Sequence, residues 1–366
     1  MVKLLFDHQK FTTQRYGGIS RYFANIIQYI DKDSEFESDL GVLYSQNHYI
    51  NQNYSSLDQQ FSKLLKKSWI ARKLYQANEA YSSYLAQKGD YDIFHPTYYD
   101  PYFLGKIKKP MVTTIHDMTY EKLPEYFWAH DTLTKNKRLQ VENADAIIAI
   151  SETTKSDLLN IHKVDESKIS VIYHGIDLNT PLEFAPVANL PGEYLLYVGD
   201  RSGYKNFYLF ISAFSILAQK FPNLKLILTG GGPLGIVDQE ILKRLHLNDK
   251  VSHINVTDGQ LNTLYKRCSL FVYPSLYEGF GLPILEAFKA QCPILLSDTP
   301  CFKEIAGDSV LYFNPTQLDD LVSKIETILL SPSLKEQLLI SGTAKLQSYP
   351  IETSIQKTLD LYKSMV

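Results

Sequence analysis

Tyr273-Pro-Ser-Leu-Tyr-Glu-Gly-Phe-Gly-Leu-Pro-Ile-Leu-Glu-Ala-Phe288 contains a strand end, a glycine loop and a helix start within one short stretch. The apolar run Leu270–Tyr273 reads as a strand. Pro283 stands where the first turn of a helix begins, a position that tolerates a fixed φ and a missing N–H. Between them, Gly279, Phe280 and Gly281 offer backbone amides, and with the positive helix end behind them these suit an anion. Glu278 precedes that loop and Glu286 lies inside the helix, so two carboxylates can address two parts of one ligand. On these residues alone a plainer reading stays open, with Glu278 stabilising a turn and Glu286 solvated.

The same alternation of strand and helix extends outward in both directions. Strand candidates in the first half are Val2–Phe6, Tyr91–Phe94, Met111–Ile115, Ala146–Ile150 and Ile169–Ile172. In the second half they are Tyr194–Val198, Leu224–Thr229, Leu270–Tyr273, Pro293–Leu296 and Val310–Phe313. Ile19, Phe23, Ile26, Ile27 and Ile30 recur on one face of a helix. Strands separated by helices read as βαβ units and parallel sheets, an α/β chain. At 366 residues the chain exceeds what one core usually serves. Asn179–Glu193, with Pro181, Pro186, Pro191 and Gly192, reads as a linker between two Rossmann-like halves.

Composition narrows the function. A net charge of −3 argues against a nucleic-acid partner. No dinucleotide fingerprint follows the first strand, where Phe6 leads into Asp7-His8-Gln9-Lys10, so a dehydrogenase is disfavoured. Cys268, Cys292 and Cys301 are odd in number and lack metal-ligand spacing. They read as free buried thiols in a reducing, cytoplasmic setting. No signal-peptide core or membrane-length apolar run is visible, which also counts against an exported solute-binding protein.

At this point the chain resembles a known family. Glu278 and Glu286 match the E-x7-E signature of the retaining glycosyltransferases of the GT-B fold, family 4. Tyr197-Val-Gly-Asp-Arg-Ser-Gly-Tyr-Lys-Asn-Phe207 resembles that family's Arg/Lys loop, and Tyr16-Gly-Gly-Ile-Ser-Arg-Tyr22 its N-terminal glycine loop. Thr114-Ile-His-Asp-Met118 and Val171-Ile-Tyr-His-Gly-Ile-Asp177 also fall at family-like places, and the pattern is nearest to mannosyltransferase-like members.

The resemblance implies two Rossmann-like domains with parallel sheets facing across a cleft. Residues 1–180 would take the acceptor and residues 181–350 the nucleotide-sugar donor, while residues 351–366 return to the first domain. Arg201 and Lys205 would place two cations on the donor diphosphate, which gains negative charge as the glycosidic bond breaks. Gly17 and Gly18, lacking Cβ atoms, would let backbone approach phosphate. His116 and Glu278 would contact the transferred sugar, and Glu286 the ribose. His174 carries no catalytic role. Without the resemblance, Arg201 and Lys205 are surface cations, Gly17-Gly18 is a turn and His116 is a core residue. Asp117 is a possible orienter of His116.

The chemistry implied is retaining transfer of a hexose, with GDP-mannose as the guessed donor and no metal or other cofactor. A donor phosphate oxygen would take the proton of a glycan or lipid-linked acceptor. Other classes are a same-fold epimerase or phosphorylase and a non-catalytic nucleotide-sugar-binding protein. Val251–Asp258 lacks the glycine that often shapes the base pocket in the family. Asp31-Lys-Asp33 spells a metal-binding DxD but follows a helix, so it reads as a solvated turn. The segment 57–75, with Lys63, Lys66, Lys67, Arg72 and Lys73 among apolar residues, reads as a packed helix or as a peripheral contact with the inner membrane face.

Overall fold

Strands buried on both faces of a parallel sheet need nearly continuous apolar sequence, and the runs quoted above supply it. The computed structural model describes residues 1–50 and 68–366 as two units. The first comprises residues 1–121, 128–174 and 352–366, and the second residues 122–127 and 175–351.

In the first unit the strands are β1 (Val2–Phe6), β2 (Phe36–Leu40), β3 (Ile93–His95), β4 (Val112–Ile115), β5 (Ala146–Ala149) and β6 (Ile169–Val171). They form two three-stranded parallel sheets in the orders β2-β1-β3 and β4-β5-β6. A parallel bridge between Phe94 and Met111 joins them. In the second unit the strands are β7 (Tyr194–Val198), β8 (Lys225–Thr229), β9 (Val251–His253), β10 (Leu270–Tyr273), β11 (Ile294–Ser297) and β12 (Leu311–Phe313). Their order, β12-β11-β10-β7-β8-β9, is the Rossmann arrangement, with the chain reversing direction across the sheet between β7 and β10. Leu195, Leu228, Leu270 and Leu295 are fully buried beneath Phe210 and Phe214 of the helix Phe207–Lys220.

Two strands lack an apolar run. β2 is Phe-Glu-Ser-Asp-Leu and β9 is Val-Ser-His, and each lies at a sheet edge. An edge strand leaves part of its surface to solvent and tolerates polar residues. The linker expected over Asn179–Glu193 packs with the second unit. There Ala185 N–H donates to Gly259 O at 3.0 Å, and Thr263 Oγ1 donates to Ala185 O at 2.7 Å. The chain leaves the first unit after His174 and re-enters it at Glu352.

The returning helix, Ile351–Lys363, is tied into the first unit by polar contacts. Tyr362 OH lies 2.6 Å from His95 Nδ1, and His95 Nε2 lies 2.9 Å from Thr114 Oγ1. Lys363 reaches Glu35 at 2.5 Å. Asp31 ends the helix Gly18–Ile30, and Asp33 Oδ1 accepts from Glu35 N–H at 2.8 Å, so the DxD triplet is a turn. Of the segment 57–75, residues 57–67, including Lys63, Lys66 and Lys67, lie outside the described residues. The remainder opens the helix Ser68–Lys88, where Trp69 is exposed and Lys73 Nζ lies 5.4 Å from its ring centroid. Among the described residues no helix is long and apolar enough to cross a membrane.

Removing the Tyr362 hydroxyl leaves a nitrogen of the fully buried His95 unpaired. Tyr362→Phe should therefore destabilise the first unit by about 1–3 kcal/mol, read as an earlier urea transition. Unchanged stability would show that the returning helix does not depend on this contact.

Candidate functional site

Open α/β sheets bind ligands beyond the carboxyl ends of their strands, where the strand order reverses. In the second unit that point lies between β7 and β10, paired through Leu195–Leu270 and Leu196–Phe271. The loop after β7 turns through a short 3-10 segment, Gly203–Lys205, and the loop after β10 carries Glu278. Leu276 N–H donates to Tyr204 O at 2.8 Å and ties the two loops together. Lys205 Nζ then meets Glu278 Oε1 at 2.6 Å, with 15% of each side chain exposed. Burial works most strongly against the Lys205 charge, but the charge and hydrogen bond of the Glu278 carboxylate together with Tyr273 and Tyr204 outweigh it. The ammonium is held well above its ordinary pKa.

Gly281 begins the helix Leu282–Lys289 with φ +95°, and a Cβ there would also lie 3.1 Å from Ile284 Cδ1. Only glycine adopts that backbone without strain. Pro283 falls in the first turn, and Glu286 is carried one turn further on. Glu286 Oε2 accepts from Tyr265 OH at 3.3 Å, and Tyr265 is fully buried. Ser275, Ser297 and Thr299, just beyond or at the ends of β10 and β11, have buried hydroxyls without partners among the described residues. Sequence reading passed over these three, although each is a hydroxyl at the carboxyl end of an apolar strand.

Arg201 is held elsewhere than Lys205. Its Nε donates to Asp238 Oδ2 at 3.0 Å, and its Nη2 donates to Gly232 O and Pro233 O, each at 2.9 Å. The turn Gly230-Gly231-Gly232, with three successive positive φ angles of +84°, +65° and +76°, presents the Gly232 carbonyl and leads into Pro233. At Gly231 a Cβ would lie 2.5 Å from Asp200 Cα, so the loops after β7 and β8 require glycine at their contact. The guanidinium fork is thus shared between a carboxylate and a glycine turn, and Asp238 is a partner that the motif did not name.

In the first unit His116 stands at the carboxyl end of β4 with 7% of its surface exposed. Its backbone N–H donates to Tyr99 OH at 2.9 Å. Among the described residues its ring nitrogens have no hydrogen-bond partner. The ring lies 6.2 Å from that of His174 in a stacked arrangement and 5.7 Å from that of Tyr22. Burial, reinforced by His174, Lys10, His95 and Lys137, pushes the His116 pKa well below its ordinary value. Burial lowers His95 and His174 to about 3, with Arg21 adding to the effect at His174. Asp117 does not orient His116: its Oδ1 accepts from Thr119 N–H at 2.9 Å. Gly17 and Gly18 do not directly follow β1, because the helix Gln9–Thr13 intervenes. Gly17 caps the helix Gly18–Ile30, and its carbonyl accepts from Arg21 N–H at 3.0 Å.

The second unit therefore gathers an ammonium, two carboxylates and a helix N-terminus at one sheet edge, a set suited to a ligand with both phosphate and hydroxyl groups. The three buried cysteines are unbridged, with Cys268 Sγ and Cys292 Sγ 3.2 Å apart.

Family profiles match both halves of the chain. The family profile described as Glycosyltransferase Family 4 matches residues 16–180, and that described as Glycosyl transferases group 1 matches residues 181–344. The O-antigen chain mannosyltransferase RfbU of Salmonella typhimurium is 30% identical over 216 residues, covering 59% of this chain and 60% of its own length. The match thus spans less than two thirds of that relative. O-antigen chain mannosyltransferase B of Escherichia coli is 27% identical over 306 residues, covering 80% of this chain and 78% of its own. Sucrose-phosphate synthase from Thermosynechococcus elongatus superposes with a TM-score of 0.74 at 19% identity, over 100% of this chain and 98% of that one. At that identity the likeness shows the fold.

The buried histidines set a pH dependence. An unfolded chain protonates His95, His116 and His174 near pH 6.5, whereas the folded chain keeps them neutral to much lower pH. Below pH 6.5 the unfolded state binds more protons, so stability falls as pH falls, by about 1.4 kcal/mol per pH unit for each histidine. Melting temperature should drop between about pH 6.5 and 5, above the range where carboxylates titrate. His174→Gln should make that slope shallower, and a flat profile in the parent chain would contradict the burial argument.

Proposed function

The chain is a family 4-like glycosyltransferase of the GT-B fold, and we propose that it transfers mannose from GDP-mannose to a hydroxyl of a glycan or lipid-linked acceptor. Transfer is proposed to be retaining and to proceed without a metal. The mannosyl assignment rests on the O-antigen mannosyltransferases among the relatives and on the motif resemblance.

The observation that carries the reading is the Lys205–Glu278 contact at the reversal between β7 and β10. A diphosphate leaving group accumulates negative charge in the transition state, and a preorganised cation beside it lowers the barrier. Lys205 is that cation, and the amides of Gly279, Phe280 and Gly281 at the helix N-terminus add to it. Glu278 balances Lys205 before the donor arrives. With donor bound, its carboxylate turns to the sugar hydroxyls, where positive charge develops as the bond breaks. Glu286, held by Tyr265, takes the ribose. Arg201 joins the phosphates by exchanging its glycine-turn carbonyls for donor oxygens. His116, neutral through burial, hydrogen-bonds the sugar. A donor phosphate oxygen accepts the acceptor proton as the new bond forms on the face the leaving group departs from.

Incubation with GDP-mannose, UDP-glucose and UDP-N-acetylglucosamine, with and without a saccharide acceptor, separates transfer from epimerisation and phosphorolysis. Proton NMR of fresh product should show an α-anomer from the α-linked donor, with activity intact in EDTA. A β-anomer, or activity abolished by EDTA, would remove the mechanism.

The two glutamates should differ in kinetics. Glu286 makes similar bonds in ground and transition states, so Glu286→Gln should raise donor KM about 10- to 150-fold with kcat little changed. Glu278→Gln keeps the shape but loses the anion, and should lower kcat about 10-fold or more with donor KM little changed. The opposite pattern in steady-state kinetics of folded variants would reverse the two roles.

A further inference from the structure

The helix Leu133–Asn143 buries a polar face. Its buried residues are Lys137, Gln140 and Val141, at i, i+3 and i+4, the spacing of one side of a helix. A helix packed for stability alone would bury apolar side chains there, and a lysine is almost never fully buried without a partner. Lys137 is 0% exposed.

Both polar side chains reach a loop beyond a strand. Lys137 Nζ donates to Asp117 O, just after β4, and to Glu121 Oε2, each at 2.9 Å. Gln140 Nε2 donates to Tyr98 O, beyond β3, at 3.0 Å. Glu121 belongs to the short helix Thr119–Lys122, and its side chain is 2% exposed. It is also the last residue before the chain leaves the first unit, to which it returns at Trp128. Tyr99 closes the arrangement. Its ring centroid lies 5.2 Å from Lys137 Nζ, and its hydroxyl accepts from His116 N–H at 2.9 Å while donating to Thr114 O at 3.3 Å. His116 is therefore held from both sides, its own amide by a buried tyrosine and the next residue's carbonyl by a buried lysine.

Energetics assign this lysine to placement rather than to stability. Replacing a buried ion pair by apolar groups of similar volume is often neutral or stabilising, so an apolar residue at position 137 would serve the core as well. An apolar residue cannot hold the Asp117 carbonyl. Glu121 Oε1 is buried without a partner among the described residues, so the pair is not even fully satisfied. What it does secure is the backbone that carries His116. The His116 ring nitrogens have no hydrogen-bond partner among the described residues, which leaves backbone placement and ring packing to set its direction. Burial first, and then neighbouring positive charge that includes Lys137, also keeps the ring neutral.

We infer that Lys137, together with Tyr99, is a positioning residue that sets the direction of the His116 ring by clamping the backbone before and after it. The inference rests on the reading of His116 as a group on the donor sugar. Lys137→Met with Glu121→Gln removes both charges together, so that no buried charge is left unpaired. Tyr99→Phe removes the other hold by a single atom and tests the clamp should the first variant not fold, as melting temperatures will show. Ring-labelled histidine NMR of the full chain, with the His116 signal identified by its loss in His116→Ala, reads the clamp without substrate. That signal should move or broaden in both variants, while that of His253 in the second unit stays. Steady-state transfer from GDP-mannose reads the consequence. In both variants kcat should fall about 10-fold or more, as misplacement of a reacting group does, with donor KM little changed. In a His116→Ala background the same substitutions should lower kcat less than about 2-fold, because they act through His116. An unmoved His116 signal, or an undiminished loss in the His116→Ala background, would overturn the inference. A moved signal with full turnover in His116→Ala would leave the clamp standing and remove the sugar-contact reading of His116 instead.

Discussion

The ion pair between Lys205 and Glu278 is the constraint on which the second unit turns. Each charge is largely withdrawn from water, and such a charge without its partner costs about 3–5 kcal/mol. The pair exists because β7 and β10, though far apart in the chain, lie side by side, so that their loops emerge together. Glu278 is delivered by the same short loop that ends at Gly281, whose left-handed backbone starts the helix bearing Glu286. Strand order, loop conformation and helix start therefore converge on one edge, and a change in any of them moves the charges.

The two units solve the same placement problem with different electrostatics. In the second, an ammonium and an arginine fork lie among glycine turns and a helix N-terminus, an environment that favours negative charge. In the first, the segments after β1 and β3 are joined through Asp7, Gln9 and Thr97 by hydrogen bonds, with the Lys10 ammonium 3.3 Å from the centroid of the Tyr98 ring.

Much of the fold could be read from sequence because its strands are buried on both faces. Tyr194–Val198 and Leu270–Tyr273 announce themselves as apolar runs and occupy the centre of their sheet. β2 and β9 could not be read this way, since edge strands need no such run. The motif around Glu278 was legible as a strand, loop and helix from Gly279, Gly281 and Pro283. The pairing of Glu278 with Lys205 was not, because it follows from strand order, which periodicity does not encode. Nor was the hold of Asp238 on Arg201, made across two loops. His116 was singled out by resemblance; its stacking with His174 and its lack of a ring hydrogen bond among the described residues emerge only in three dimensions.

The central claim is that the reversal point of the second sheet binds a nucleoside diphosphate through Lys205. Isothermal titration of GDP and UDP into the parent chain and into Lys205→Met measures this without any acceptor or turnover. The account predicts that at least one of the two nucleotides binds and that Lys205→Met weakens it about 10-fold or more, the worth of one charge-assisted hydrogen bond. Equal affinity in the parent and the variant would contradict it.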